Sequence, residues 1–244
     1  QGLKVAQVEA GLRSNNYLKP FPEELTRVFS TKIGLIDIFF CQDAKAVNNI
    51  SYLNKTVFCT RYNTMLDSLR LVDKTDSIIN NTETIEKFAI VSLHRFETIF
   101  KKEKLEVVVK EIKKIADKIK IFFILHPPTR VSLKKNNLYE NLEKNPRCVL
   151  LPRQGFFEFN NLLVKAEFLI TDGGSNQEEC FYLGTPCLLF RSETERSEGI
   201  GENVVISNFD PTIIENFVLN YNSYRRQPIP ATFSPSRFIV DQLT

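Results

Sequence analysis

The stretch Phe168-Leu-Ile-Thr-Asp172-Gly173-Gly174-Ser175-Asn-Gln-Glu178-Glu179 passes from a short apolar block through two glycines directly into a helical segment. A strand that turns on glycine into a helix is the building unit of a parallel α/β sheet. Glycines let the backbone curl without side-chain clash, so successive N–H groups can face an anion at the positive end of the helix. Glu178 and Glu179 fall in the first turns of that helix, where acids complement its dipole. An acid one turn from a bound phosphate is equally well placed to accept hydrogen bonds from ribose hydroxyls. No lysine follows the glycines, which excludes a P-loop, and Gly199-x-Gly201 lacks the third glycine of a dinucleotide fingerprint.

The same alternation extends outward in both directions. Strands are expected at Val5–Val8, Ile38–Phe40, Ala89–Leu93, Ile121–Leu125, Val149–Leu151, Phe168–Thr171, Cys187–Phe190 and Val204–Ile206. From Lys102 to Lys118, Leu105, Val108, Ile112, Ile115 and Ile119 recur at spacings of three and four against a lysine- and glutamate-rich face, which predicts a surface helix. Further helices are expected at Glu23–Leu35, Ala44–Leu53, Phe156–Ala166, Asn176–Leu183, Thr212–Tyr221 and Ser236–Leu243. The polar segment 73–86 reads as a linker. It separates residues 1–72, too few for a doubly wound domain of their own, from an α/β domain over 87–224 and a tail over 225–244.

Of the 244 residues 43% are hydrophobic and 25% charged, the composition of a folded protein rather than a disordered one. Lys plus Arg is 32 against 29 acids, and a scattered net charge of +3 does not favour a nucleic acid or an anionic membrane as partner. The apolar runs are too short to span a bilayer, and no secretory signal opens the chain. Five cysteines, none in a C-x-x-C pair, read as reduced thiols in a cytoplasmic protein, and two histidines exclude a multi-histidine metal site.

In open α/β sheets ligands bind beyond the carboxyl ends of the strands. Those ends carry Glu9, His94 with Arg95, His126, the Asp172–Ser175 turn and Arg191. A histidine at one strand end reads as a satisfied polar terminus; two at such ends read equally well as a site. Pro20-Phe-Pro-Glu23-Glu24-x-x-Arg27 is either a capped helix start with a local ion pair or a functional cluster. Ser192-Glu-Thr194-Glu195-Arg196-Ser-Glu198 is densely charged directly after a buried strand, which makes it a candidate diphosphate clamp.

Together these segments resemble the UDP-N-acetylglucosamine 2-epimerase family. Val8-Glu-Ala-Gly-Leu-Arg-Ser14 followed by Pro20-Phe-Pro-Glu-Glu-x-x-Arg27 is similar to that family's most specific signature. Asn63-Thr64, Ser92-x-His94-Arg95-x-Glu97, His126-Pro127, Thr171-Asp-Gly-Gly with Gln177-Glu-Glu179, and Thr194-Glu-Arg-x-Glu198 follow in the family's order. The resemblance implies an α/β fold of two Rossmann-like lobes of GT-B type, parallel sheets flanked by helices, with the first lobe incomplete. In the family the first signature follows on the order of 100 residues. The chain is therefore expected to correspond to the C-terminal two-thirds of such an enzyme.

Family enzymes invert the carbon bearing the acetamido group, converting UDP-GlcNAc to UDP-ManNAc: they eliminate UDP to leave a glycal and then add it back. A hydrolysing branch releases UDP and free ManNAc instead. The resemblance implies Glu9 and Glu23 as catalytic carboxylates, Arg27 beside them, and His94 on the diphosphate. It further implies Gly173, Gly174 and Ser175 as the phosphate loop, Glu179 on the ribose, Arg196 in the active site and Phe159 by the uracil. Arg13, Arg95 and His126 are additional candidates. It implies no cofactor and no metal, a site in the cleft between lobes, a homodimer, and a role in supplying activated amino sugar for cell-surface polysaccharide. The alternatives are a non-catalytic UDP-binding remnant and a GT-B glycosyltransferase, against which the Glu9-to-Arg27 block argues. The phosphate loop reads Gly173-Gly174-Ser175 where the family has Ser-Gly-Gly, which displaces the hydroxyl by two positions.

Overall fold

Two parallel sheets carry the chain. A computed structural model describes residues 3–13, 28–31, 33–72 and 86–244. The first sheet has the order β1-β2-β3, formed by β1 (Ala6–Gln7), β2 (Ile38–Cys41) and β3 (Thr56–Cys59). The second contains β4 (Phe88–Leu93), β5 (Lys120–Leu125), β6 (Cys148–Pro152), β7 (Leu169–Thr171), β8 (Cys187–Leu189) and β9 (Val204–Ile206), in the order β6-β5-β4-β7-β8-β9. They belong to two units, Gln1–Leu71 with Pro230–Thr244, and Val72–Ile229.

In the second unit the chain winds outward from β4 through β5 to β6, then restarts beside β4 at β7 and winds the other way. This is the doubly wound order, and its switch point lies between β4 and β7, where Ile90 pairs with Leu169 and Ser92 with Thr171. Strand β4 is buried throughout, and its alternate side chains serve two cores. Ala89, Val91 and Leu93 pack with Leu105, Val108, Ile112 and Ile115 of the helix Lys102–Ala116. Phe88 and Ile90 face the other way, onto Phe159, Leu162 and Leu163 of the helix Phe156–Lys165. Helices on both faces explain why this strand reads as a continuous apolar run rather than an alternating one.

Several elements differ from the sequence reading. Strand β3 adds a third member to the first sheet, where two were expected. Short helices at Met65–Arg70, Phe96–Ile99, Pro127–Lys135 and Tyr139–Glu143 were not foreseen. Pro127 and Pro128 look like breakers, but proline at the first helical positions forfeits no intrahelical bond. The expected helix Ala44–Leu53 is split into Ala44–Asn48 and a 3-10 turn at Ser51–Leu53. Of the expected helix Glu23–Leu35, residues 28–31 are helical, 33–35 are not, and 23–27 and 32 lie outside the described residues, as do residues 73–85 of the expected linker.

In the first unit Asn63 accepts a hydrogen bond from the Met65 N–H at 3.1 Å, at the start of the helix Met65–Arg70. Asp67 on that helix anchors the C-terminal helix Pro235–Leu243, its Oδ2 accepting from Ser234 Oγ at 3.0 Å and from the Ser236 N–H at 2.8 Å. Burial alone would raise the Asp67 carboxyl, but the two serine donors and Arg70 hold it below the usual 3.8. Phe238 meets the edge of Phe58, centroids 6.2 Å apart. Replacing Asp67 by Ala is expected to cost about 2 kcal/mol. Amide exchange should accelerate over 235–243 and stay unchanged in β4. Unchanged exchange over 235–243 in the variant would refute the anchoring role.

Candidate functional site

At the switch point the loops leaving β4 and β7 are tied together by one carboxylate. Asp172, 0% exposed, accepts the backbone N–H of His94 on Oδ1 at 2.9 Å and that of Arg95 on Oδ2 at 3.0 Å. The His94 Nδ1 lies 3.6 Å from the same Oδ1, with the imidazole 39% exposed. The two loops therefore move as one body.

Beyond Asp172 the chain enters the helix Gly174–Leu183, whose N-cap is Gly173. Glycine offers no side chain to cap the first turn, so its N–H groups point outward with the positive end of the dipole. A methyl group on Gly173 would stand 2.9 Å from His94 Cε1 and 2.9 Å from Asn176 Oδ1. Only glycine lets the imidazole close onto the turn. Arg196 lies over Gly174, with Nε 3.0 Å from the point a Cβ would occupy.

A relay of hydrogen bonds fixes the turn. The Gly173 N–H donates to Thr171 Oγ1 at 3.0 Å, and that hydroxyl donates to Asn176 Oδ1 at 3.0 Å. The Asn176 amide then donates to Glu179 Oε2 at 2.7 Å, while Asn160 donates to Glu179 Oε1 at 3.4 Å. Glu179 is 5% exposed, and burial pushes its carboxyl up against the opposing pull of these two amides. Thr171 organises the turn, and Ser175 sits exposed in its first helical residues.

The segment after β8 closes the other side. Gln177 is buried and donates to the Glu198 carbonyl at 2.8 Å while accepting from Thr194 Oγ1 at 2.8 Å, which locks this segment onto the helix. Arg196 pairs with Glu178, a carboxylate 0% exposed that also accepts from Tyr182 Oη at 3.3 Å. Glu195 bridges Arg95 at 3.1 Å and Arg191 at 2.9 Å. Burial would raise the Glu195 carboxyl, but Arg191 and Arg95 overcome it and hold it down at about 2.

His94, Arg95, Gly173, Gly174, Ser175, Glu179 and Arg196 are thus gathered around one helix start. His126 adjoins them, its ring centroid 4.7 Å from that of His94. Phe159 is 7% exposed, and its ring belongs to the core beneath the helix Phe156–Lys165. In the first unit Glu9 is exposed just beyond β1, with a left-handed φ of 57° that is uncommon for a non-glycine residue. The residues after it are pinned. Ala10 donates to the Phe40 carbonyl at 2.9 Å, and a Cβ on Gly11 would strike the Ala46 carbonyl oxygen at 2.1 Å. Arg13 donates to the Leu12 carbonyl at 2.9 Å and to Thr31 Oγ1 at 3.4 Å. Glu23 and Arg27 lie outside the described residues.

Sequence reading placed Asp172 at a strand end and Thr171 and Gln177 within matched motifs but gave none of them a role, and it assigned none to Asn176 or Asn160. Asp172 carried a signal, an acid between a buried strand and a glycine turn, but its partners are 77 and 78 residues away. Among the described residues no group of three or more His, Cys, Asp or Glu side chains is placed to hold a metal ion. No helix among them is long and apolar enough to cross a membrane.

Comparison with known proteins bears on the chain as a whole. The family model described as UDP-N-acetylglucosamine 2-epimerase matches residues 1–227. The UDP-N-acetylglucosamine 2-epimerase of Methanocaldococcus jannaschii is 31% identical over 242 residues, covering 93% of this chain and 65% of the relative. That of Bacillus subtilis is 30% identical over 203 residues, covering 81% and 52%. The chain thus spans less than two thirds of these relatives' length. The structure of the M. jannaschii enzyme in complex with UDP-GlcNAc and UDP superposes with a TM-score of 0.79 at 29% identity, covering 98% of this chain and 69% of that one. The Neisseria meningitidis enzyme bound to UDP-GlcNAc gives 0.81 at 26% identity, covering 98% and 69%. The fold class is therefore α/β of GT-B type.

The depressed Glu195 carboxyl has a defined consequence for stability. Its folded value of about 2 lies below the ordinary 4.5, so its stabilisation is complete above pH 4.5 and fades as pH falls toward 2. Glu195→Gln should be less stable than the parent by about 3 kcal/mol at pH 7, with the gap closing near pH 2. Denaturant unfolding at several pH values measures this. A gap independent of pH would show that the ion pairs contribute no linkage.

Proposed function

The chain belongs to the UDP-N-acetylglucosamine 2-epimerase family, and on that premise we propose that it serves the interconversion of UDP-GlcNAc and UDP-ManNAc. The observation that carries this reading is the glycine-capped helix start at the switch point, with His94 and Arg196 closed onto its two glycines. First-turn N–H groups, an imidazole and a guanidinium converge there, as a departing nucleoside diphosphate requires. Glu179 one turn further, held by Asn176 and Asn160, is positioned to accept from ribose hydroxyls.

In the proposed reaction a carboxylate removes the proton from the sugar carbon bearing the acetamido group as the C–O bond to UDP breaks. A glycal and UDP result. UDP then adds back while a proton is delivered to the opposite face. The proton is weakly acidic, so the work falls to placed carboxylates, Glu9 and Glu23, with Arg27 beside them. The family resemblance puts Phe159 by the uracil, but its ring packs in the core, so only the segment around it is assigned to the uracil end; Arg13 is assigned to support of the Glu9 segment. The free cysteines among the described residues are consistent with action in the cytoplasm, supplying activated amino sugar to cell-surface polysaccharide. The family resemblance supports a homodimer.

Two measurements test the reading. By calorimetry UDP should bind the chain, and Gly173→Ala should weaken it at least about tenfold because the added methyl displaces His94. Unchanged affinity would remove the phosphate site from the turn. In heavy water, proton NMR should show exchange at the sugar carbon. Glu23→Gln should abolish that exchange and leave UDP affinity nearly intact. Loss of UDP binding in Glu23→Gln would overturn its acid–base role, and accumulation of free ManNAc with UDP would assign the hydrolysing outcome.

A further inference from the structure

The two histidines of the chain occupy equivalent places on neighbouring strands. Leu93 and Leu125 are in register across β4 and β5, so His94 and His126 leave the sheet side by side. Their ring centroids are 4.7 Å apart with the planes inclined by 34°. His94 is therefore held between the Gly173 turn, Asp172 and the second imidazole.

The two rings differ in how they are held. His126 is the N-cap of the helix Pro127–Lys135, with φ −68° and ψ 147°. The following proline restricts it to that extended region. Its carbonyl accepts from the Arg130 N–H at 3.0 Å, and Thr129 ties the helix start back to the Leu93 carbonyl. Its Nε2 lies 3.2 Å from Ser92 Oγ, whose residue is buried in β4. His94, by contrast, stands on the loop and presents an open imidazole.

We propose that His126 is a positioning residue, a fixed plate that holds the His94 ring against the Gly173 turn in the orientation that meets an anionic ligand. The proposal rests on the phosphate reading of that turn. Burial, then His94 and Arg153, pull the His126 imidazole down to about 4. It thus stays neutral near pH 7 and packs on His94 without like-charge repulsion.

A double-variant cycle on UDP affinity separates this role from direct contact. His126→Ala and His94→Ala should each weaken UDP about tenfold, the scale of one charge-assisted hydrogen bond. The double variant should be no weaker than His94→Ala alone. His126→Phe, which keeps a flat ring in place, should restore most of the affinity. Additive losses, or full affinity in His126→Ala, would overturn the proposal.

NMR of the free chain gives a second reading that needs no ligand, and with two histidines the assignments are direct. The His94 ring resonance should move toward its random-coil position in His126→Ala and remain displaced in His126→Phe. An unmoved resonance in His126→Ala overturns the positioning role. Failure of UDP to bind the parent chain, with the resonance shifts as expected, counts against the phosphate reading instead.

Discussion

One buried carboxylate governs the geometry of the switch point. Asp172 accepts two backbone N–H groups from the loop beyond β4, and both bonds run across the place where the sheet changes its winding direction. A charge removed from water is tolerable only when its lone pairs are engaged, and hydrogen bonds to charged groups contribute about 1.5–3 kcal/mol each. Here the engagement also fixes the loop carrying His94 and Arg95 relative to the turn carrying Gly173. Without it the imidazole would have no defined distance from the helix start, and the absence of a Cβ at Gly173 would serve nothing.

The charges around this point are balanced rather than accumulated. Glu178 stands with Arg196, and Glu195 with Arg95 and Arg191. Each arginine is thereby held in one orientation before any ligand arrives, and Glu97, 3.8 Å from Arg95, brings the acids to three against the three arginines. An anion approaching the turn thus gains from directed donors rather than from a bulk positive potential, the arrangement that costs least reorganisation during a reaction. The relay from Gly173 through Thr171 and Asn176 to Glu179 extends the same order toward the proposed ribose acid.

Much of the second sheet was legible because its strands are buried on both faces and read as unbroken apolar runs, β4 above all. Strand β3 was not. Thr56-Val-Phe-Cys59 lies at the end of its sheet and is exposed at both termini, so it shows neither a continuous run nor a clean alternation. The helix Pro127–Lys135 was hidden by its own prolines, whose tolerance depends on their position in a helix. In the site, the glycine turn was visible as local chemistry, and so was the acid pair after it. Gln177 was visible as part of a motif, but its role in locking the segment after β8 onto the helix came only from the bonds it makes to Glu198 and Thr194.

The amino-acid sequence alone determined the local terms: the apolar periodicity that selects parallel strands and covering helices, the glycines that open a helix without a cap, and the ordered motifs that mark the family. Those signals act over a few residues, within the reach of backbone geometry and side-chain period. Only the tertiary structure decided which charge meets which partner. Asp172 finds its donors 78 and 77 residues away, and Glu195 finds Arg95 at a separation of 100. Hydrogen bonds and ion pairs depend on ångström distances in space, and no spacing along the chain encodes them before the sheet is wound.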